Sequence, residues 1–368
     1  MNQFSLPVKI YFGKDTKEAF SDCRKPFVVC DPFFSKSELL KKITDRFSAF
    51  ALFDDFTPDP TLASVTKGIT AFLKSGADSM IALGGGSAID TAKAILLFSI
   101  KSGKAQKVPL IAVPTTSGTG SEVTSFSVVT DEQSHTKHPL VTDDMLPSAA
   151  VLDLDFVRSV PPKVVADTGA DVLCHALESY VSIFSNPFTD ALCEKAVQIV
   201  FSYLPLSVSG DEHAREQMHF ASCMAGLAFN QTNLGLCHAI AHNTGARLHL
   251  PHGRTNAVLL PHVIRFNAGN IGFSDNLSQI ALKYAHMAKL LGANGAPALQ
   301  VKKLISEIER LFAKIGLPNS FSVAGIDLKD AKELSGAIAK AALSDGCLKA
   351  NPIQPTQEQI ENLYKGAI

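Results

Sequence analysis

A chain of 368 residues is long enough for two domains or one large α/β unit, and 46% hydrophobic against 19% charged residues describes a well-filled core. A formal net charge of −1 gives no electrostatic reason to expect a nucleic-acid or anionic-membrane partner. The opening MNQFSLPVKIYFG has no basic segment ahead of an apolar run, and no stretch of about 18 apolar residues occurs, so neither a signal peptide nor a transmembrane helix is expected.

Up to about residue 160, β-rich runs alternate with helical stretches. Pro26 to Asp31, Ser48 to Phe56, Ser79 to Gly86, Val108 to Thr116 and Ala149 to Leu154 read as buried strands. TLASVTKGITAFLKSG and SAIDTAKAILLFSIKSG, lying between them, carry apolar residues at helical spacing. This alternation is the pattern of a parallel sheet covered on both faces. Past Val160-Pro161-Pro162 nearly every segment reads as helix, and the paired prolines fit a hinge. Residues 1–162 are therefore expected to form an α/β domain, and residues 163–368 an all-helical one.

Seven cysteines (Cys23, Cys30, Cys174, Cys193, Cys223, Cys237 and Cys347) are scattered, with no C-x-x-C pair. Their pattern argues against a disulfide framework or a thiolate zinc site, and it fits a reduced cytoplasm.

Gly84-Gly85-Gly86-Ser87 follows a strand and opens a helix. Glycines let the backbone approach a phosphate, and the helix N-terminus supplies N–H groups and a positive dipole end. A tight strand-to-helix connection would look the same. A second cluster, Pro114 to Thr124 (PTTSGTGSEVT), again follows a strand and is dense in hydroxyls. Two such clusters at the carboxyl ends of parallel strands are where open sheets bind dinucleotides. Asp31 ends the first strand of this region, where a carboxylate accepts from a ribose 2′-OH and repels a 2′-phosphate, favouring NAD. It also fits a turn-initiating residue before Pro32.

Five of eleven histidines (His238, His242, His249, His252 and His262) fall within a short apolar stretch. His238 and His242 sit four apart, as do Asp171 and His175 upstream, so each pair shares a helix face. His252, between Pro251 and Gly253, lies in a turn that could aim an imidazole at the same point. One carboxylate with two or three imidazoles and no thiolate suits iron(II) or zinc. His249 and His262 read as supporting residues.

At these residues the sequence resembles the iron-containing alcohol dehydrogenase family. The family's GGGS-x-x-D-x-x-K stands as GGGSAIDTAK, its threonine-rich signature as PTTSGTGSEVT, and its metal signature as TGADVLCHALESY followed by GLCHAIAHNTGARLHLPHG. The motifs run in the family's order over essentially the whole chain. The resemblance implies a Rossmann-like α/β N-terminal domain with a parallel sheet, then an all-α C-terminal domain, in a dehydroquinate synthase-like architecture. It implies Asp171, His175, His238 and His252 as ligands of Fe2+, with Zn2+ as the alternative, and His242 as a proton relay that does not ligate. Asp31, Gly84, Gly85, Gly86, Ser87, Thr115, Thr116, Thr119, Thr124 and Lys137 would line the NAD(H) site.

The expected activity is interconversion of short primary alcohols and aldehydes by a homodimer or an assembly of dimers. Within the family the chain is most similar to the 1-propanol dehydrogenases of propanediol utilisation, which adds a bacterial microcompartment to the expected locations. A zinc-dependent polyol dehydrogenase is the main alternative. A dehydroquinate-synthase-like lyase would need more Lys and Arg than Arg247, Arg254 and Arg265 near the ligands, and a redox-dead scaffold would not need intact motifs. Three positions depart from the family's habit: Asp59, Cys174 and Asn243 stand where Asn, Thr, and Pro or Gln are common.

Overall fold

Strand and helix alternate from Lys9 to Val157 in the computed structural model, which describes residues 4–58, 60–132, 136–269, 271 and 277–368. In chain order the elements are β1 (Lys9–Phe12), β2 (Pro26–Cys30), α1 (Glu38–Thr44), β3 (Ala51–Phe53), α2 (Leu62–Ser75) and β4 (Ser79–Gly84). Then come α3 (Gly86–Lys101), β5 (Leu110–Pro114), β6 (Phe126–Asp131), β7 (Thr136–Val141), β8 (Ala149–Leu152) and α4 (Leu154–Val157). Six strands form a parallel sheet in the order β1-β8-β5-β4-β2-β3, while β6 and β7 pair as a separate antiparallel ribbon.

The period of two along each strand explains why these runs are apolar throughout. Phe27, Val29, Met80, Ala82 and Ala112 pack with Val65 and Phe72 of α2 and Ile89 and Leu96 of α3. Val28, Cys30, Ile81, Leu83 and Val113 pack in a second cluster with Leu40 and Ile43 of α1 and Phe156 of α4. Each large side chain so enclosed contributes about 1.5–3 kcal/mol. The parallel sheet with helices is the expected Rossmann-like arrangement.

Boundaries differ where backbone geometry intervenes. The strand expected to reach Gly86 stops at Gly84, because Gly85 is already the N-cap of α3. Ser48 to Phe56 narrows to Ala51–Phe53, an edge strand paired only with β2. β1, α1 and the β6–β7 ribbon are elements the sequence reading did not single out.

The compact units divide between Val160 and Pro161. The second contains α5 (Pro162–Val181), α6 (Pro187–Val208), α7 (Glu212–Thr232), α8 (Leu236–Leu248) and α9 (His252–Ala268). It continues with α10 (Gln279–Leu290), α11 (Pro297–Lys314), α12 (Leu328–Ala342) and α13 (Gln357–Gly366), and no strand occurs among its described residues. Prolines open α5, α6 and α11, where a missing N–H costs nothing and the fixed φ suits the first turn. Among the described residues α6 alone is long and apolar enough to cross a membrane by length and composition, although Asp190, Glu194 and Lys195 interrupt it and no uninterrupted apolar run occurs. It packs against α5 and α7 and buries Cys193, Ala196, Val197, Val200 and Leu204, as a core helix does.

Candidate metal centre and nucleotide loops

Helical spacing stacks Asp171 and His175 on one side of α5, with 3% and 4% of their surfaces exposed. His238 comes from the first turn of α8 and His252 is the first residue of α9. Their rings converge on Asp171 Oδ1: His238 Nε2 and His252 Nε2 each lie 3.5 Å away, and His175 Nε2 lies 3.9 Å away. One ligand atom from each of the four falls within 4.8 Å of all the others. Three side chains are at most 5% exposed, whereas His252 leaves 40% of its side chain in contact with solvent.

Three imidazole nitrogens and one carboxylate oxygen, with no sulfur among them, fit a divalent first-row cation. The two nearest thiols point elsewhere: Cys174 Sγ is 3.8 Å from His238 Nδ1, and Cys237 Sγ faces Asn256. Asn256, fully buried and missed in the sequence reading, directs Nδ2 at Asp171 Oδ1, His238 Nε2 and His252 Nε2 at 2.8, 3.1 and 3.2 Å. An N–H donor there presents positive charge to the same lone pairs a cation would take. The donor set therefore fits a metal.

The charges are coupled. Burial alone would raise the Asp171 carboxyl, but His175, His252 and His238 hold it well below the usual carboxylate range. Burial disfavours protonated His238, yet hydrogen bonds to Asp171 and Glu178 outweigh this and carry it to about 10. Although the outer part of the His252 side chain meets solvent, desolvation on its inward side carries it below the ordinary imidazole value, and Asp171 restores only part of the loss.

Two contacts bring α9 onto α5. Arg254 Nε and Nη2 grip Asp167 Oδ1 and Oδ2 at 3.0 and 2.9 Å, one turn before Asp171. Gly253 is packed so closely that an added Cβ would meet the Asp167 carbonyl oxygen at 1.9 Å. Only glycine permits that approach.

His242, one turn after His238, is outside the four-donor group. Its ring stacks on His252 at 5.3 Å between centroids, and Nδ1 lies 3.0 Å from Asp345 Oδ2. Asp345 was not foreseen. His249 ends α8 in a left-handed conformation, and His262 lines a separate groove of about 1070 Å³ with Lys163, Arg254 and Arg265. None of the four donor residues lines that groove.

In the α/β unit, the carboxyl ends of β2, β4 and β5 are adjacent, with Cys30 paired to Leu83 and Gly84 to Pro114. This register gathers residues from three separate segments. An added Cβ would meet Asp31 Cβ at 3.0 Å from Gly84, Thr116 Oγ1 at 3.3 Å from Gly85, and Thr119 Cγ2 at 2.8 Å from Gly86. Thr115 N–H donates to Gly84 O at 3.0 Å. Ser87 lies in the first turn of α3, whose N-terminus has no side-chain cap. Asp31 Oδ1 accepts from Phe33 N–H at 2.9 Å, so the turn-forming role is present as well.

Lys93 ends the glycine motif GGGSAIDTAK. It is wholly buried and donates to Ser121 Oγ, Thr124 O and Phe126 O at 3.0, 2.7 and 2.8 Å. Asp90 accepts from Ser121 Oγ at 2.7 Å and from Val128 N–H at 2.9 Å. These bonds tie the threonine-rich loop to α3, and they enclose Thr124 rather than open it. Lys137 belongs to β7, but its side chain lies outside the described residues, as does Asp59.

Residues 7–154 match the family profile described as iron-containing alcohol dehydrogenase, and residues 165–368 match that of the Fe-containing alcohol dehydrogenase family, C-terminal. The chain is 43% identical to 1-propanol dehydrogenase PduQ of Citrobacter freundii, over 99% of this chain and 100% of that protein. It is 35% identical to an NADPH-dependent butanol dehydrogenase of Clostridium saccharobutylicum, over 99% and 97% of the two chains. Among solved structures, an iron-containing alcohol dehydrogenase from Thermococcus thioreducens superposes with a TM-score of 0.89 at 31% identity, covering 99% of each chain.

Proposed function

This chain belongs to the iron-containing alcohol dehydrogenase family, and from that membership we propose that it reduces short-chain primary aldehydes with NADH, and oxidises the corresponding alcohols, at a divalent iron held by Asp171, His175, His238 and His252. It is an oxidoreductase that interconverts alcohols and aldehydes; the assignments beyond that are our reading. The convergence of three Nε2 atoms on Asp171 Oδ1 carries it.

When bound, the metal supplies Lewis acidity toward the substrate oxygen and the nicotinamide supplies or accepts the hydride. The protein does the rest. Asp171 would give negative charge to the ligand set, and three imidazoles, neutral once a metal takes the place of their inward protons, would fix its geometry. His242 holds a proton beside this group and passes it between substrate oxygen and solvent, with Asp345 against its Nδ1. Gly84 to Ser87 and the N-terminus of α3 receive the dinucleotide phosphates, beside Thr115, Thr116, Thr119, Thr124 and Lys137. Asp31 accepts from the adenosine ribose hydroxyls, favouring NAD(H) over the phosphorylated cofactor. On this reading the first unit, up to Val160, binds the dinucleotide and the second, from Pro161, carries the metal and catalysis, so the expected boundary at 162 moves by two residues.

The zinc-dependent polyol alternative is not favoured, because the relatives named above are 1-propanol and butanol dehydrogenases. The likeness to the former also supports a propanol-sized substrate and residence in a bacterial microcompartment; the assembly on this reading is a homodimer or a set of dimers.

The test is consumption of NADH with propionaldehyde after anaerobic loading with iron(II). Turnover dependent on the added metal is expected. No turnover with any short aldehyde overturns the proposal.

A further inference from the structure

We propose that Glu178 is the positioning residue of the metal centre: by accepting hydrogen bonds at both carboxylate oxygens, it fixes the tautomer and direction of His238 and the start of the helix that bears it. The inference rests on the assignment of His238 as a ligand.

Glu178 projects from α5 with 4% of its surface exposed. Its Oε2 lies 2.5 Å from His238 Nδ1 and its Oε1 accepts from Cys237 N–H at 2.6 Å. His238 N–H donates to Oε2 at 3.4 Å. A carboxylate oxygen only accepts, so in the neutral ring that a metal requires the His238 proton sits on Nδ1 and the lone pair on Nε2, the atom that faces Asp171. With its own bond to Glu178, the ring cannot turn Nδ1 inward. A second candidate metal group of Cys174, Glu178 and His238 is excluded by the same bond, which occupies the nitrogen it would need.

The start of α8 has no side chain of its own as a cap, because Gly235 stands at the N-cap. Glu178 supplies one, and its charge complements the helix N-terminus. Asn351 supplies another by accepting from Leu236 N–H at 3.1 Å without a contact to His238. An added Cβ on Gly235 would meet Asn351 Oδ1 at 2.8 Å and Glu178 Oε1 at 2.9 Å, so glycine admits both caps. The structure thus separates two roles. Asn351 holds the helix; Glu178 holds the helix and the ligand.

Glutamine cannot replace it. One terminal atom of Gln accepts and the other only donates, so either Cys237 N–H or His238 Nδ1–H would face another donor. Loss of such an orienting partner weakens metal binding about 10- to 100-fold.

The experiment measures cobalt(II) affinity by chelator competition, the visible spectrum of the cobalt(II) protein, and the thermal midpoint. Glu178→Gln is expected to weaken cobalt(II) binding about 10- to 100-fold and shift its ligand-field bands. Asn351→Ala should lower the thermal midpoint while leaving affinity and spectrum unchanged, which separates helix capping from ligand positioning. Glu178→Asp keeps the charge but falls short of both donors, so it should also weaken binding; it serves if the Gln variant does not fold. The inference is overturned if both Glu178 variants bind cobalt(II) as wild type while His252→Ala loses it. Wild-type binding by His252→Ala would overturn the ligand assignment itself.

Discussion

The Asp167 carbonyl oxygen stands 1.9 Å from where a Cβ on Gly253 would be, so the start of α9 touches α5 backbone to backbone. His252, the preceding residue, places Nε2 3.5 Å from Asp171 Oδ1. Gly253→Ala is therefore expected to separate the two helices, at a cost of about 3 kcal/mol from overpacking. Bound metal should fall along with the thermal midpoint. A variant with wild-type midpoint and metal content would show that the contact does not set the site.

His252 and His242 stack on each other but should fail differently. His252→Ala removes a proposed ligand and should lose most of the metal and the activity. His242→Ala should keep the metal and lower kcat by about 10²- to 10⁴-fold, the usual range for a proton-transfer group. Metal analysis beside steady-state kinetics separates them. Loss of metal from the His242 variant would reverse the two roles.

For cofactor choice, Asp31→Gly should raise kcat/KM with NADPH and lower it with NADH. Asp31 packs against Gly84 through its Cβ, which puts the residue beside the glycine turn where a dinucleotide on the α3 N-terminus would place its ribose. An unchanged ratio refutes the contact. The relation is informative because one full-length relative is named as NADPH-dependent.

Burial raises Glu122 from 4.5 to about 7, with Lys93 nearby recovering only part of the cost. The folded chain keeps this proton over a pH range in which the unfolded chain has released it. Stability is therefore lost as pH rises from about 4.5 to about 7, and the loss stays constant above that. At 1.36 kcal/mol per pKa unit the cost is about 3 kcal/mol. Glu122→Gln should stabilise the protein by about 2 kcal/mol at pH 8, since Lys93 also loses a nearby anion, and by less at pH 5. Unfolding at the two pH values measures it; a gain independent of pH would contradict the buried carboxylate.

Lys93→Met leaves Thr124 O, Phe126 O and Ser121 Oγ without their buried donor. The expected result is weaker NADH binding, seen in fluorescence titration, with unchanged metal content. Equal NADH affinity would make Lys93 a core residue only.

The parallel sheet was legible because buried strands of this type are apolar throughout and sit between helix-period segments. The β6–β7 ribbon escaped notice because its residues, including Thr130, Asp131, Thr136, Lys137 and His138, are polar and lack a continuous apolar face. β1 is four residues at a sheet edge, too short for a period to register. In the metal cluster, Asp171 with His175, and His238 with His242, stood out because helical neighbours are close in sequence. Glu178, Asn256, Asp345 and the Asp167–Arg254 pair carried no such mark. Their partners are brought to them by folding, from other helices or from the turn at Asp345, and a single chain shows no spacing that would reveal it. Glu178 lies in the same motif as Asp171 and His175, yet only its distance from His238 gives it a task.

His252 alone among the four donors keeps a large part of its side chain in solvent. The inner three form a cup whose shape is set by α5 and α8, and His252 is its rim. A cation held by these four donors would therefore meet solvent on the side that His252 faces. A chelator would then approach by the same side.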